Sequence, residues 1–369
     1  MKKLGFGNMR LPLKDANDPK SVDIDQLCQM VDLFIDAGFN YFDTAYMYHD
    51  FTSENFVRDA LVKRYPRDKF ILADKLPTMM LKAPEDQERI FNEQLEKCGV
   101  EYFDYYMLHN LGVNHYAIAQ KMNSFDFIER KKAEGKAKHI GFSFHDNANL
   151  LDQILTEHPN VDFVQLQINY LDWENESIQS KKCYEVAVKH KKPVIVMEPV
   201  KGGNLANIPE EAEKLFKNYC PDMSLASWAI RYAASLPNVK IVLSGMSSLE
   251  QVKDNLSYMS DFKPLNDEEI TIIKKAVEII NNLTAVPCTS CRYCVNVCPK
   301  HIAIPEYFAL YNSEKQTKIK GLAHKVYYGN YIKNNGKASD CIQCRRCEKE
   351  CPQHIEISEA LKDVAKAFE

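Results

Sequence analysis

FILADKLPTMMLKAPEDQERIFNEQLEKC, residues 70–98, holds the fold in miniature. Phe70–Lys75 is an apolar run that turns polar only at its end, as a strand buried on both faces does. Pro84–Cys98 is an amphipathic stretch, apolar on one side and rich in Glu and Gln on the other. A short buried strand followed by such a helix is one βα unit, and the unit recurs along the chain. Further candidate strands are Leu4–Asn8, Tyr41–Asp43, Tyr105–His109, His139–Ser143, Phe163–Asn169, Val194–Glu198 and Ile241–Gly245. Ile24–Ala37, Ser53–Lys63, Ser124–Glu134 and Ser224–Ala234 are among the amphipathic stretches between them. Eight units in about 250 residues is the count of a parallel (β/α)8 TIM barrel; an open doubly wound sheet is the competing architecture. The opening Gly5-Phe6-Gly7 lacks the third glycine of a dinucleotide-fold fingerprint.

A last barrel-side helix is expected over Asp267–Asn282, capped by Asn266 or Asp267. Thr284–Pro287 reads as the boundary, giving a barrel over residues 1–285 and a small, mainly helical domain over 286–369. That second domain carries eight of the twelve cysteines. Cys288, Cys291, Cys294 and Cys298 precede Pro299; Cys341, Cys344, Cys347 and Cys351 precede Pro352. Both runs read C-x2-C-x2-C-x3-C-P, the bacterial ferredoxin spacing for four-iron clusters. Soft thiolates suit iron–sulfur chemistry, and the tight spacing lets one loop wrap three corners of a cluster. A disulfide framework fits a short secreted chain, and structural zinc would need neither the extra cysteine nor the proline. The ferredoxin pattern wires the fourth cysteine of each run to the other cluster. Cys288, Cys291, Cys294 and Cys351 then hold one cluster, and Cys341, Cys344, Cys347 and Cys298 the other. His301 and His354, three positions past each fourth cysteine, are expected at the surface. Cys28, Cys98, Cys183 and Cys220 read as small buried hydrophobes.

A net charge of −4 is too mild for nucleic acid, although residues 288–369 carry 13 Lys and Arg against 9 Asp and Glu. A basic patch at Lys315, Lys318, Lys320 and Lys325 reads as a solvated face, with docking of an acidic redox partner the minority reading. No apolar stretch approaches the roughly 18 residues of a membrane helix. Free thiols and clusters together imply a reducing, cytoplasmic setting.

At the ends of successive strands stand Asp43 with Tyr48 five residues on, then Lys75, then His109. Active sites of such barrels lie at that face. A lysine at the end of a buried strand needs a partner, which Asp43 supplies. This order resembles the catalytic tetrad of the aldo-keto reductases. FDTAYMY, SENFVRDAL, DYYMLHN, KHIGFSFH and FVQLQINY extend the resemblance over nearly all of residues 1–260. MEPVKGG and the cysteine-rich tail resemble an iron–sulfur-containing branch of that family. The resemblance implies reduction of a small aldehyde or ketone by NAD(P)H. Tyr48 is then the general acid, Lys75 lowers its pKa, Asp43 holds Lys75, and His109 orients the carbonyl oxygen.

Ser143 and Gln165 match the positions that hold the nicotinamide amide, and Met197 stands where a stacking tyrosine is common. Ser244, Gly245, Ser247 and Ser248 precede a helix whose start is a natural phosphate site, with Ser247 and Glu250 fitting a capping box. Gly245 and Gln251 occupy the places of the basic residues that grip a 2′-phosphate in many relatives, which favours NADH, or loose selectivity. Phe144 replaces the usual Asn, and Asp74 the usual small neutral residue before the lysine.

A hydride carries two electrons and a four-iron cluster passes one at a time. No motif specifies a flavin between them, and the sequence leaves a flavin open. Three explanations stand: the clusters exchange electrons with an external ferredoxin or flavoprotein, or they are structural, or the barrel holds another redox cofactor. The alternative function is an electron-transfer or redox-sensing protein whose barrel binds a nucleotide with little carbonyl turnover.

Overall fold

The computed structural model describes residues 2–176, 178–288, 292–316, 322–351 and 353–369, with backbone alone at 322–323. Eight parallel strands close into a barrel in chain order: β1 (Leu4–Gly7), β2 (Tyr41–Asp43), β3 (Ile71–Leu76), β4 (Phe103–Leu111), β5 (Ala137–Phe144), β6 (Phe163–Gln167), β7 (Val194–Met197) and β8 (Val239–Gly245), which pairs back to β1. Each expected strand is present with ends within two residues of expectation. Closure settles the architecture against an open sheet.

Successive strand residues face opposite sides, so the barrel interior and the helix layer are built from alternate positions. Tyr41, Ala73, Tyr105, Met107, Phe163, Ile195, Ile241 and Leu243 form one buried interior cluster. A Cβ at Gly141 would lie 2.4 Å from the Phe163 carbonyl oxygen and 2.9 Å from its ring, so glycine there makes room for that plug. The other register, including Leu72, Tyr106, Phe142, Val164 and Val242, packs in the larger core with the helices. Ile24–Asp36 shows how a helix joins it: Asp23 caps its start by accepting from the Gln26 amide, and Leu27, Met30, Val31 and Phe34 are buried. Each such side chain contributes about 1.5–3 kcal/mol by leaving water.

By proximity the chain forms two compact units, Met1–Lys201 with Ala226–Leu265, and Gly202–Leu225 with Asn266–Glu369. The helix Asp267–Asn281, expected on the barrel side, groups with the second unit, together with Glu210–Tyr219. Its cap is Asn266 in a full capping box with Glu269. The cysteine region is an internal duplication. Helices Tyr293–Asn296 and Ile304–Lys315 recur as Arg346–Lys349 and Ile357–Phe368. Arg292 and Arg345 take the same left-handed backbone, as do His301 and His354. The His301 and His354 amides each donate to the fourth cysteine's carbonyl, Cys298 and Cys351, at 3.1 Å. Both histidines are exposed, as expected. Between the halves lies the helix Leu322–Tyr331.

Candidate active site and cluster sites

β2 and β3 end side by side and bring Asp43 and Lys75 together inside the mouth. Lys75 is 1% exposed; its Nζ donates to Asp43 Oδ1 and, at 2.6 Å, to the Thr44 carbonyl. Gln165 Nε2 donates to the other Asp43 oxygen at 3.2 Å. Burial works against the Lys75 ammonium, but Asp43 and Tyr48 more than offset it and its pKa lies above the ordinary 10.5. Tyr48 lies on the loop after β2, its ring centroid 4.8 Å from Lys75 Nζ. His49, Asp50 and Phe51, the next three residues, all take left-handed backbone. His49 holds this turn to the N-terminal segment, accepting from the Leu11 amide at 3.2 Å and meeting the Pro19 carbonyl at 2.8 Å. The His109 ring stands 6.0 Å from that of Tyr48 at 81°. The four residues thus converge.

One feature differs from sequence expectation. Lys75 does pull the Tyr48 phenol downward, but burial outweighs it and the pKa lies above 10. Tyr48 therefore keeps its proton at neutral pH. Burial also drives His109 well below 6.5, and its Nδ1 is buried without a partner among the described residues. His145, at the end of β5, is pushed down to about 4 by burial. The imidazoles of the mouth are neutral.

Ser143 and Gln165 are inward and buried. The Ser143 hydroxyl oxygen accepts from the Asn110 amide at 2.7 Å, which leaves its proton to donate. A hydroxyl donor beside a carboxamide oxygen is the complement of a primary amide, so the pair fits a nicotinamide. Phe144 is buried in the core with the helices, in the register opposite to Ser143, so it does not stand in the mouth. Met197 is half-buried at the end of β7. At the end of β8, Ser244 Oγ accepts from Asn255 Nδ2 at 2.6 Å. The helix Leu249–Met259 is capped by Ser248, which accepts from the Gln251 amide. The expected Ser247–Glu250 box is displaced by one residue: Ser247 instead donates from its hydroxyl to the Arg10 carbonyl and from its amide to Gln251 Oε1. A Cβ at Gly245 would lie 3.3 Å from Arg10. The residue whose identity removes a cation at this loop leaves space in which Arg10 lies.

Asp74, unexplained by the sequence, faces away from the mouth. Its Oδ1 accepts from the Lys75 amide at 2.8 Å, and its carboxyl hydrogen-bonds Glu54. Glu54 is fully buried, accepts from Gln94 Nε2 at 3.1 Å and meets Lys97 at 3.3 Å. Gln94 also donates to the Lys75 carbonyl, at 3.1 Å, so side chains grip the main chain of Lys75 at both ends. Burial, then the neighbouring Glu54, raises Asp74 well above 3.8. Two touching buried carboxyls cannot both ionise, and Asp74 carries the shared proton.

Cys288, Cys294 and Cys351 line one cavity with Ile304, Pro305, Phe308, Ile355 and Ile357. Cys347 lies near Cys298 and Cys341, is buried, and its thiol is pushed up to about 11 by burial and those neighbours. The fourth cysteine of each run thus stands with the first and third of the other; Cys291, Thr289 and Pro352 lie outside the described residues. Among the described residues no three His, Cys, Asp or Glu stand close enough for a single metal ion, whereas a cubane sets its thiolates wider apart. Elsewhere Cys98 and Cys183 are buried, but Cys28 and Cys220 are only half-buried, against expectation.

Residues 3–278 match the Aldo/keto reductase family and residues 287–356 the 4Fe-4S dicluster domain. The chain belongs to the aldo/keto reductase family, as an NAD(P)H-dependent oxidoreductase with an iron–sulfur domain after its barrel. It is 25% identical over 275 residues to the uncharacterised oxidoreductase YqkF of Bacillus subtilis, covering 66% of this chain and 85% of that one. It is 24% identical over 300 residues to the NADH-specific methylglyoxal reductase of Escherichia coli, covering 69% and 89%. An aldo-keto reductase of Bacillus halodurans, solved in holo form, superposes with TM-score 0.60 at 25% identity over 74% of this chain and 91% of that one. Among the described residues no helix is long and apolar enough to cross a membrane.

Proposed function

We propose that the protein reduces a small aldehyde or ketone with NAD(P)H, NADH favoured, and that its tail carries two 4Fe-4S clusters that pass electrons. In this reading the barrel spans residues 1–285 and the ferredoxin-like domain 286–369, in a reducing cytoplasm. The observation that carries it is the convergence of Tyr48, Lys75 and His109 at the mouth, the Tyr48 ring 4.8 Å from Lys75 Nζ and 6.0 Å from the His109 ring, where burial holds the phenol above 10 and the imidazole well below 6.5. Tyr48 donates its proton to the carbonyl oxygen as the carbon is reduced, and Lys75 stabilises the phenolate left behind. Asp43 keeps Lys75 charged and in place, and His109 orients the carbonyl oxygen. A reduced nicotinamide, bound through Ser143, Gln165 and Met197 with its phosphates near Ser244, Gly245, Ser247 and Ser248, supplies the hydride.

Gly245 and Gln251 offer no charge to a 2′-phosphate, and similarity to an NADH-specific reductase of methylglyoxal points the same way. Small carbonyls of that kind are the first substrates to try. The test is anaerobic oxidation of NADH and NADPH with methylglyoxal and simple aldehydes, product identified. Rapid turnover with NADH at least as good as NADPH supports the proposal. Tight nucleotide binding without turnover would favour the second reading, a redox-sensing or electron-transfer protein. The observation that keeps this reading alive is the exposed Cys344 at the second cysteine run.

A further inference from the structure

We propose that the site framed by Cys298, Cys341, Cys344 and Cys347 is the electron port of the tail, and that its open basic face docks a small acidic ferredoxin. This rests on the two-cluster reading above and says which cluster meets the partner, through which residues.

The two sites differ in their walls. Around Cys288, Cys294 and Cys351 the lining is mostly apolar, Ile304, Pro305, Phe308, Ile355 and Ile357, with Arg292 and Gln353 the polar members. Of the described cysteines there, Cys294 and Cys351 are buried and Cys288 is half-buried. Around the second run, Ile342, Gln343, Cys344, Arg345 and Arg346 are five consecutive exposed residues. Ile342 is 58% exposed, a large apolar side chain next to two cluster cysteines. Beside them an open concavity is lined by Cys298, His301, Arg346, Lys349 and Glu350. Electron transfer falls off steeply with distance, so a protein carrier must reach the exposed edge of a cluster. Among the described cysteines of the two runs Cys344 is the exposed one, and it would present that edge.

The charges of this face are available to a partner. Among the described residues neither Arg346 nor Lys349 has an acidic side chain within ion-pair reach. Arg345 meets Glu348 only at 3.8 Å, and Glu348 is itself engaged by the Ser358 amide at 2.9 Å. Lys300 adds an exposed cation close by in sequence, and Glu350 is the acid of the concavity. The duplicate position of Arg345, Arg292, is instead tied to Glu306. An exposed apolar side chain, Ile342, beside two cations, Arg346 and Lys349, that have no ion pair among the described residues fits a steered, transient interface. Its complement is an acidic surface carrying one electron. The step is balanced: the ferredoxin is oxidised by one electron, the cluster is reduced by one, and no bond or proton changes hands. The basic patch at 315–325 is the rival face; of its four lysines, Lys318 and Lys320 lie outside the described residues.

The test uses the full-length, cluster-loaded protein under anaerobic conditions. A reduced acidic ferredoxin is mixed with it, and bleaching of the clusters is followed by stopped flow. The doubly substituted Arg346→Glu, Lys349→Glu variant should slow second-order reduction by about tenfold or more, and raising salt from ~50 to ~500 mM should slow the wild type similarly. Ile342→Ala should weaken the encounter with little change in its salt dependence. Iron content and reduction by dithionite should match wild type in each variant, which separates docking from folding. Equal rates in wild type and the double variant would overturn the proposal, as would a loss found only with Lys315→Glu, Lys325→Glu. The readout is cluster reduction, so failure of aldehyde turnover leaves this test standing, and a count of four irons would strike the two-cluster reading separately.

Discussion

From Leu4 to Met259 the buried cluster around the barrel is mostly hydrocarbon, and Lys75 and Asp43, both buried in the mouth, are paired with each other. In the tail, Ile302, Tyr307, Phe308, Leu361 and Val364 share their core with Cys294, Cys347 and Cys351. The barrel therefore has a core sufficient by itself, while the tail's core is interrupted by thiols whose natural state at a cluster is anionic. Those groups sit in apolar surroundings close to one another, and burial, with the neighbouring Cys298, Glu348 and Cys341, pushes the Cys347 thiol up to about 11. Metal held by those cysteines would contribute folding free energy to the tail and little to the barrel.

The largest expected effect follows. Oxidative removal of iron with a chelator should melt the helices Ile304–Lys315 and Ile357–Phe368 and leave the barrel folded. Hydrogen exchange read peptide by peptide checks it: amide protection should vanish from the tail and persist in β3 to β6. A tail that keeps its protection without iron would break the contrast.

Next in size is a change confined to the barrel. Tyr48→Phe should lower carbonyl turnover by roughly 10²–10⁴-fold, the usual yield of a general acid, with nucleotide affinity nearly unchanged. Iron content should not move. The pH profile adds a sign. Reduction needs protonated Tyr48, whose pKa lies above 10, and neutral His109, whose pKa lies well below 6.5. Turnover should therefore stay level from about pH 7 to 9 and fall only as pH rises through the Tyr48 value. A fall centred near neutral pH would assign the proton to another group.

Much of this was legible in the sequence, for identifiable reasons. Continuous apolar runs such as Tyr105–Leu108 mark a sheet covered on both faces, and the cysteine spacing is arithmetic. Asp43, Lys75 and His109 stood out because ionisable side chains rarely end buried strands. What the sequence hid are partnerships across the fold. Asp74 and Glu54 meet because a helix start lies over the outer face of β3, 20 positions away. Arg10 and Gly245 lie at opposite ends of the barrel sequence, joined only because β8 closes onto β1. The cap of Leu249–Met259 lies one residue from its expected place because two adjacent serines fit equally on paper. The raised Tyr48 pKa needs a burial that no local pattern reports.

A smaller effect probes that hidden pair. Folding raises the Asp74 pKa well above 3.8, so the native state holds a proton that the unfolded chain releases. Wild-type stability should therefore decline as pH rises above the ordinary carboxyl range. Asp74→Asn keeps the acceptor for the Lys75 amide and supplies a permanent donor to Glu54. It should raise the melting temperature slightly at pH 7, by more at pH 8 than at pH 6, with turnover near wild type. A variant less stable at every pH would show that Asp74 is ionised in the folded protein.

The contrast between the halves rests finally on what fills the cysteine sites. Iron and acid-labile sulfide, measured on anaerobically purified protein together with low-temperature EPR of the reduced state, test it most directly. The account predicts roughly eight irons and eight sulfides per chain, with signals broadened by coupling between two nearby four-iron clusters. Stoichiometric zinc, or four irons with an uncoupled signal, would contradict it.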